Sequence, residues 1–222
     1  MDAATAALRG GQFDTALSAL RDAAPDRLSV VFLAGLALLG RGELEPAAQQ
    51  FREALRIADD FLPAAFYLGT CYAAGGRDAE AVGAWQTALI TEGDARIIYD
   101  VLTDALLRLG NAEQAIAIMA EVRGRWPDDD GFLPRLAVAQ AMLERRGEAL
   151  STLEAYLTGH EKDAEAAALA IRLLYEAHVA GKPVRSAAGD RDLASKFRAV
   201  YRAGGGSNQA LVDRWVAFIL KN

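Results

Sequence analysis

This sequence predicts an all-α chain of stacked antiparallel helix pairs, an α-solenoid, and three observations carry the prediction. Ala and Leu dominate a composition that is 52% hydrophobic, with 20 Gly, six Pro and few β-branched residues, the make-up of helices joined by glycine turns. A Gly, an Ala five residues on and a large apolar residue four further recur as Gly42, Ala47, Phe51, as Gly76, Ala81, Trp85 and as Gly110, Ala115, Met119. Each triple follows the last by 34 residues, a period that belongs to arrays of two-helix units.

From the N-terminus, Gly11, Ala16 and Leu20 give the triple 31 residues before Gly42, so the link ahead of residue 28 is three residues shorter. Only DAATAALR precedes the first turn. The first unit is therefore truncated, as expected of a segment from a longer protein or of a terminus docked on another chain. Helix pairs start near residues 28, 62, 96, 130 and 164. In their first helices, Gly35, Gly69, Thr103, Ala137 and Ile171 share one register position. Leu38, Tyr72, Leu106, Gln140 and Leu174 share the position three further on. Small residues let paired helices approach, and large ones fill the gaps beside them. Gly75-Gly76 permits a left-handed turn after the first helix, and Arg77 or Asp78 opens the second. Ala149 and Leu153 continue the triple, but Glu144 stands where Gly is expected, so Gly147 is the residue predicted to make that turn.

Residues 164–183 predict one long helix ending at Gly181 and Pro183, residues 184–190 a loop, and 192–203 and 208–222 two further helices. The division is repeats over 1–181 and a helical cap over 182–222. In the last helix Leu211, Trp215, Phe218 and Ile219 recur at helical spacing, widened by Val212, Val216 and Leu220. A helix this apolar needs cover, and it is expected to cap the last unit with Trp215 as its main anchor, the alternatives being a binding helix for another protein and a membrane anchor too short to span.

Within residues 62–95, Leu68-Gly69, Tyr72, Gly76, Ala81, Trp85 and Ala88-Leu89, with Pro127 closing the next unit, resemble the tetratricopeptide repeat. The resemblance extends over roughly residues 1–180. It implies a right-handed superhelix with C-terminal capping helices, a concave groove lined mainly by first helices, and an extended or helical peptide as ligand. Carried along the register, the groove positions are Phe32, Leu36 and Leu39; Phe66, Thr70 and Ala73; Asp100, Asp104 and Leu107; Pro134, Val138 and Ala141; and Ala168, Arg172 and Tyr175. The Lys, Arg and Asn clamp that the family uses for a C-terminal carboxylate is absent from the first four units, which excludes the chaperone-tail mode. An apolar peptide with a basic residue reaching Asp100 and Asp104 fits instead. The alternative for Phe32 and Phe66 is packing between repeats. Residues 61–90 and the C-terminal tail also resemble the repeat region of bacterial von Willebrand factor A-domain proteins, which implies an envelope-associated binding or assembly role.

Other chemistries find little support. A net charge of −6 argues against a broad nucleic-acid surface. No apolar run approaches the length of a membrane span, and MDAATAALRGG lacks the basic and apolar regions of a signal peptide, so none is expected there. Cys71 is the only cysteine, which forbids an internal disulfide and reads as a small buried residue. His160 and His178 stand eighteen residues apart without a zinc spacing and are expected at helix ends or on the surface. WPDDDG (126–131) reads as a helix N-cap rather than a calcium loop, and AGGGSN (203–208) as a flexible turn rather than a phosphate loop. No catalytic, metal or cofactor site emerges. The expected function is non-catalytic: a protein- or peptide-binding scaffold or adaptor. The alternative is a structural protein that stacks end to end with its own copies into a dimer or filament.

Overall fold

The computed structural model describes residues 2–21, 28–91 and 95–222. Among them thirteen helices follow in order: α1 (Asp2–Arg9), α2 (Phe13–Leu20), α3 (Leu28–Gly40), α4 (Leu44–Ile57), α5 (Leu62–Ala74), α6 (Asp78–Thr91), α7 (Arg96–Arg108), α8 (Ala112–Arg125), α9 (Leu133–Met142), α10 (Arg146–Gly159), α11 (Ala164–Val179), α12 (Ala187–Ala203) and α13 (Gln209–Lys221). The short link predicted before residue 28 lies outside the described residues. The chain divides into two compact units, Met1–Leu109 with α1–α7 and Gly110–Asn222 with α8–α13. In the first, each helix packs on the next, and α3 also touches α1 and α5. In the second, packing is again serial, and α13 lies on both α11 and α12.

The turns make the pairs. Gly42 and Gly76 adopt φ of 78° and 74°. The amide after each reaches back over the helix end: Glu43 N–H donates to the Leu38 carbonyl (3.0 Å) and Arg77 N–H to the Tyr72 carbonyl (2.8 Å). After α9 the same closure is made by Glu144, at φ 59°, with Arg145 N–H donating to the Gln140 carbonyl at 2.9 Å. Gly147, predicted to make this turn, lies inside α10. The repeat register fixes where α9 stops, and the residue at that place adopts the left-handed backbone although it carries a Cβ.

Within pairs, small residues admit large ones. A Cβ on Gly35 would lie 2.7 Å from the Phe51 ring, and one on Gly69 would lie 2.4 Å from Trp85 Nε1. Trp85 is buried, and its indole N–H donates to the Phe66 carbonyl at 3.0 Å. In the second unit Ala137 and Leu153 occupy these register places, both wholly buried in one cluster. Cys71 stands in register with Ala37, Ala105 and Ala139, and all four are buried. Burial pushes its thiol up to about 11, the behaviour of an inert core residue.

Four local expectations are corrected. Helix α12 starts at Ala187, not 192, because Ser186 Oγ accepts the Gly189 N–H (3.1 Å) and caps it. The Asp run before α9 does not cap that helix: Phe132 is at the cap, and Asp129 Oδ1 accepts from Gly131 N–H (2.9 Å) in a local turn. The glycine turn before α13 is packed rather than flexible. A Cβ on Gly204 would meet the Lys162 carbonyl at 2.2 Å, one on Gly206 would meet the Tyr201 ring at 2.1 Å, and Asn208 caps α13. On α13 the buried stripe is Val212, Val216 and Ile219. Trp215 is only half-buried, and Phe218 and Leu220 are exposed.

Candidate functional site

In the first unit, the predicted groove positions fall on α3, α5 and α7. Phe32 is surrounded by the rings of Phe51 (5.8 Å between centroids), Phe61 (5.1 Å) and Tyr67 (5.8 Å), and Leu36 is packed against the same cluster. Phe66 meets Tyr67 edge-on at 5.2 Å. Its carbonyl accepts both the Trp85 indole N–H and the Thr70 hydroxyl (3.0 Å each). Thr70 then opens onto a hollow of about 240 Å³ with Ala73, Ala74, Val101, Asp104 and Arg108, floored by Trp85. Three of its lining residues, Thr70, Ala73 and Asp104, are at predicted groove positions.

The acidic stripe on α7 is not bare. Arg96 pairs with Asp100 at 2.7 Å. Arg108 forks onto Asp78 with contacts of 2.7–3.1 Å. That hydrogen-bonded pairing holds the Asp78 carboxyl below its usual range and raises the Arg108 guanidinium, to which Asp104 adds a coulombic pull. The face therefore offers carboxylates and guanidinium groups side by side.

In the second unit α9, α11 and α13 supply the face. One hollow of about 210 Å³ is lined by Val138, Ala141, Met142 and Leu173, with Glu144, Arg146 and Glu176 around it. It shares Leu169 and Arg172 with a second hollow of about 290 Å³, completed by Glu165, Ala168 and Trp215. Val138, Ala141, Ala168 and Arg172 are thus gathered on one surface. Tyr175 is under α13, stacked on Trp215 (5.9 Å) and edge-on to Phe218 (5.3 Å).

Sequence reasoning missed one buried polar group. His178 Nε2 lies 3.1 Å from Asp190 Oδ2, both side chains sealed from solvent. Asp190 also accepts the backbone N–H of Val184 (2.9 Å) and Arg185 (3.1 Å). His160, at the C-cap of α10, stacks on Tyr156, whose hydroxyl donates to Asp163 at 2.9 Å. Burial and Asp163 push that phenol up to about 12. Among the described residues no three His, Cys, Asp or Glu side chains gather as a metal site would need, and no helix is long and apolar enough to cross a membrane.

The family model described as tetratricopeptide repeat matches residues 1–63. The solved structure of YrrB, described as a TPR protein with an unusual peptide-binding site, superposes with a TM-score of 0.68 at 16% identity, covering 90% of this chain and 97% of that one. The fold is that of the tetratricopeptide repeat. MamA from Desulfovibrio magneticus RS-1 gives a TM-score of 0.68 at 14% identity over 82% of this chain and 97% of its own. PilF of Pseudomonas aeruginosa gives 0.65 at 18% over 87% and 84%. At these identities the likeness speaks for the tetratricopeptide fold alone. No curated protein matches the sequence, and the likeness to von Willebrand factor A-domain proteins finds no support in these comparisons.

Proposed function

We propose that this tetratricopeptide-fold protein is a non-catalytic scaffold or adaptor that holds a segment of another protein against its first helices. The observation that carries the reading is the hollow formed by Thr70, Ala73, Ala74, Val101 and Asp104 over Trp85, where predicted groove positions from two first helices meet. Phe66, Leu36 and Phe32 continue the apolar wall, and Asp100 and Asp104 receive a basic residue of the partner. Arg172 plays the corresponding part in the second unit, with Tyr175 supporting the hollow from beneath Trp215. Partners captured by the purified protein and identified by mass spectrometry are then titrated against the wild type and the Asp100→Lys/Asp104→Lys variant. Binding should weaken at least about tenfold while helicity and melting stay close to wild type. Unchanged affinity for every identified partner puts the binding surface elsewhere.

A second reading, self-association through α13, is favoured by the exposure of Phe218 and Leu220 on the last helix. Light scattering across a concentration series separates the two, because a chain that stays monomeric at high concentration excludes self-assembly.

A further inference from the structure

Trp215 is half-exposed and lines the hollow it shares with Glu165, Ala168, Leu169 and Arg172. Its indole is steadied by stacking on Tyr175, while Val212, Val216 and Ile219 hold α13 in place. A rigid aromatic ring, supported from behind and open in front, is the side chain on which binding energy concentrates. The charges at the hollow sharpen this. Glu165 is exposed in the first turn of α11, and among the described residues its carboxylate makes no hydrogen bond or ion pair. Arg172, seven residues along the same helix, is approached by Glu176 only at 3.6 Å, beyond a charge-assisted hydrogen bond. Seven helical residues span about 10 Å. The hollow thus has an apolar floor with an anion towards one end and a cation towards the other.

We infer that this hollow takes an extended peptide segment in which an apolar side chain sits midway between a basic and an acidic residue four positions apart. Alternate residues of an extended chain share a face, so three side chains spread over four positions, about 13 Å, all face the hollow, and side-chain reach takes up the difference from the ~10 Å between Glu165 and Arg172. The apolar side chain rests on Trp215 and Leu169, the ligand's cation meets Glu165, and its carboxylate meets Arg172. A purely apolar occupant would strip water from both charges, leaving Glu165 without a partner and Arg172 with only the long contact to Glu176, which is costly, so the complementary pair is what the surface selects. The inference rests on the scaffold reading and names the ligand chemistry of the second unit.

The probes are fluorescent peptides with Lys-Ser-Leu-Ser-Glu, Glu-Ser-Leu-Ser-Lys, Lys-Ser-Leu-Ser-Lys or Glu-Ser-Leu-Ser-Glu at their centres, titrated by anisotropy against the full chain. One of the two mixed orders, set by strand direction, should bind at least about tenfold tighter than either like-charge peptide. The Glu165→Lys/Arg172→Glu variant should then prefer the other mixed order. Both changes are on the surface, and circular dichroism checks that the variant is folded. A charge preference that the swap leaves unchanged overturns the inference. So does failure of all four peptides when a displayed random-peptide library still yields binders that lose affinity in Asp104→Lys, and in that case the scaffold reading stands. A library that yields no binder at all overturns both.

Discussion

The α5–α6 pair and the α9–α10 pair occupy the same register two repeats apart, yet they are filled in opposite styles. In α5–α6 a glycine lies under the largest side chain, Gly69 against Trp85, and a glycine, Gly76, makes the turn. In α9–α10 Ala137 and Leu153 share the volume more evenly, and Glu144 makes the turn in the left-handed region. The repeat therefore conserves combined volume and turn conformation while residue identity drifts. Gly69 is a steric requirement of Trp85, whereas Ala137 answers to a smaller neighbour.

The largest effect should come from breaking the tighter pair. Gly69→Ala puts a Cβ within 2.4 Å of a buried, hydrogen-bonded indole. We expect a loss of about 1–2 kcal/mol by chemical denaturation, net of the ~1 kcal/mol that Ala gains over Gly in a helix. Adding Trp85→Leu, which copies the α9–α10 filling, should recover most of that loss. A double variant no more stable than Gly69→Ala would mean that the pairs do not trade volume.

Exchanging the turns tests the other half of the comparison. Gly76→Ala should cost about 1 kcal/mol, because a Cβ is forced into the left-handed region. Glu144→Gly should gain about 0.5–1 kcal/mol, since relief of that strain exceeds the extra freedom glycine gives the unfolded chain. Melting temperatures should move in opposite directions, and a drop for Glu144→Gly would show that the turn is not strained.

The smallest effect belongs to Cys71, where three other units of the register carry Ala. Cys71→Ala should change stability at neutral pH by about 1 kcal/mol or less. In the unfolded chain a cysteine titrates near pH 8.5, whereas burial pushes Cys71 up to about 11 in the fold. Between those values the unfolded chain gives up a proton that the folded chain keeps, so wild-type stability falls as pH rises through the window. Below it both states keep the proton and the thiol contributes no pH dependence. Subtracting the Cys71→Ala stability curve from the wild-type curve should isolate that alkaline slope, and parallel curves would refute it.

The fold was legible because its period is written in the sequence: the small–large pairings Gly35–Phe51, Gly69–Trp85 and Ala137–Leu153 recur at multiples of 34 residues. What escaped depended on three-dimensional placement. Residue preference points to Gly147 for the turn, but register decides which residue sits there. Size points to Trp215 as the anchor, but Val212, Val216 and Ile219 occupy the face of α13 turned to the core. The candidate site was legible only in part, since Thr70, Ala73, Asp104, Ala168 and Arg172 line open hollows while Phe32 is ringed by aromatics. Helical phase alone does not separate a side chain facing a ligand from one facing the next helix. The His178–Asp190 contact joins residues across a turn whose shape the sequence does not display.

That carboxylate has a consequence for how the end of the chain breathes. Val184 and Arg185 belong to the connection between α11 and α12, where amides ordinarily swap hydrogen with water quickly. Both donate instead into Asp190, which is sealed from solvent and braced by His178. Their deuterium exchange should be as slow as that of a helix interior, and proteases should leave the connection uncut. A joint fastened from within cannot swivel, so α12 should open only when α11 does.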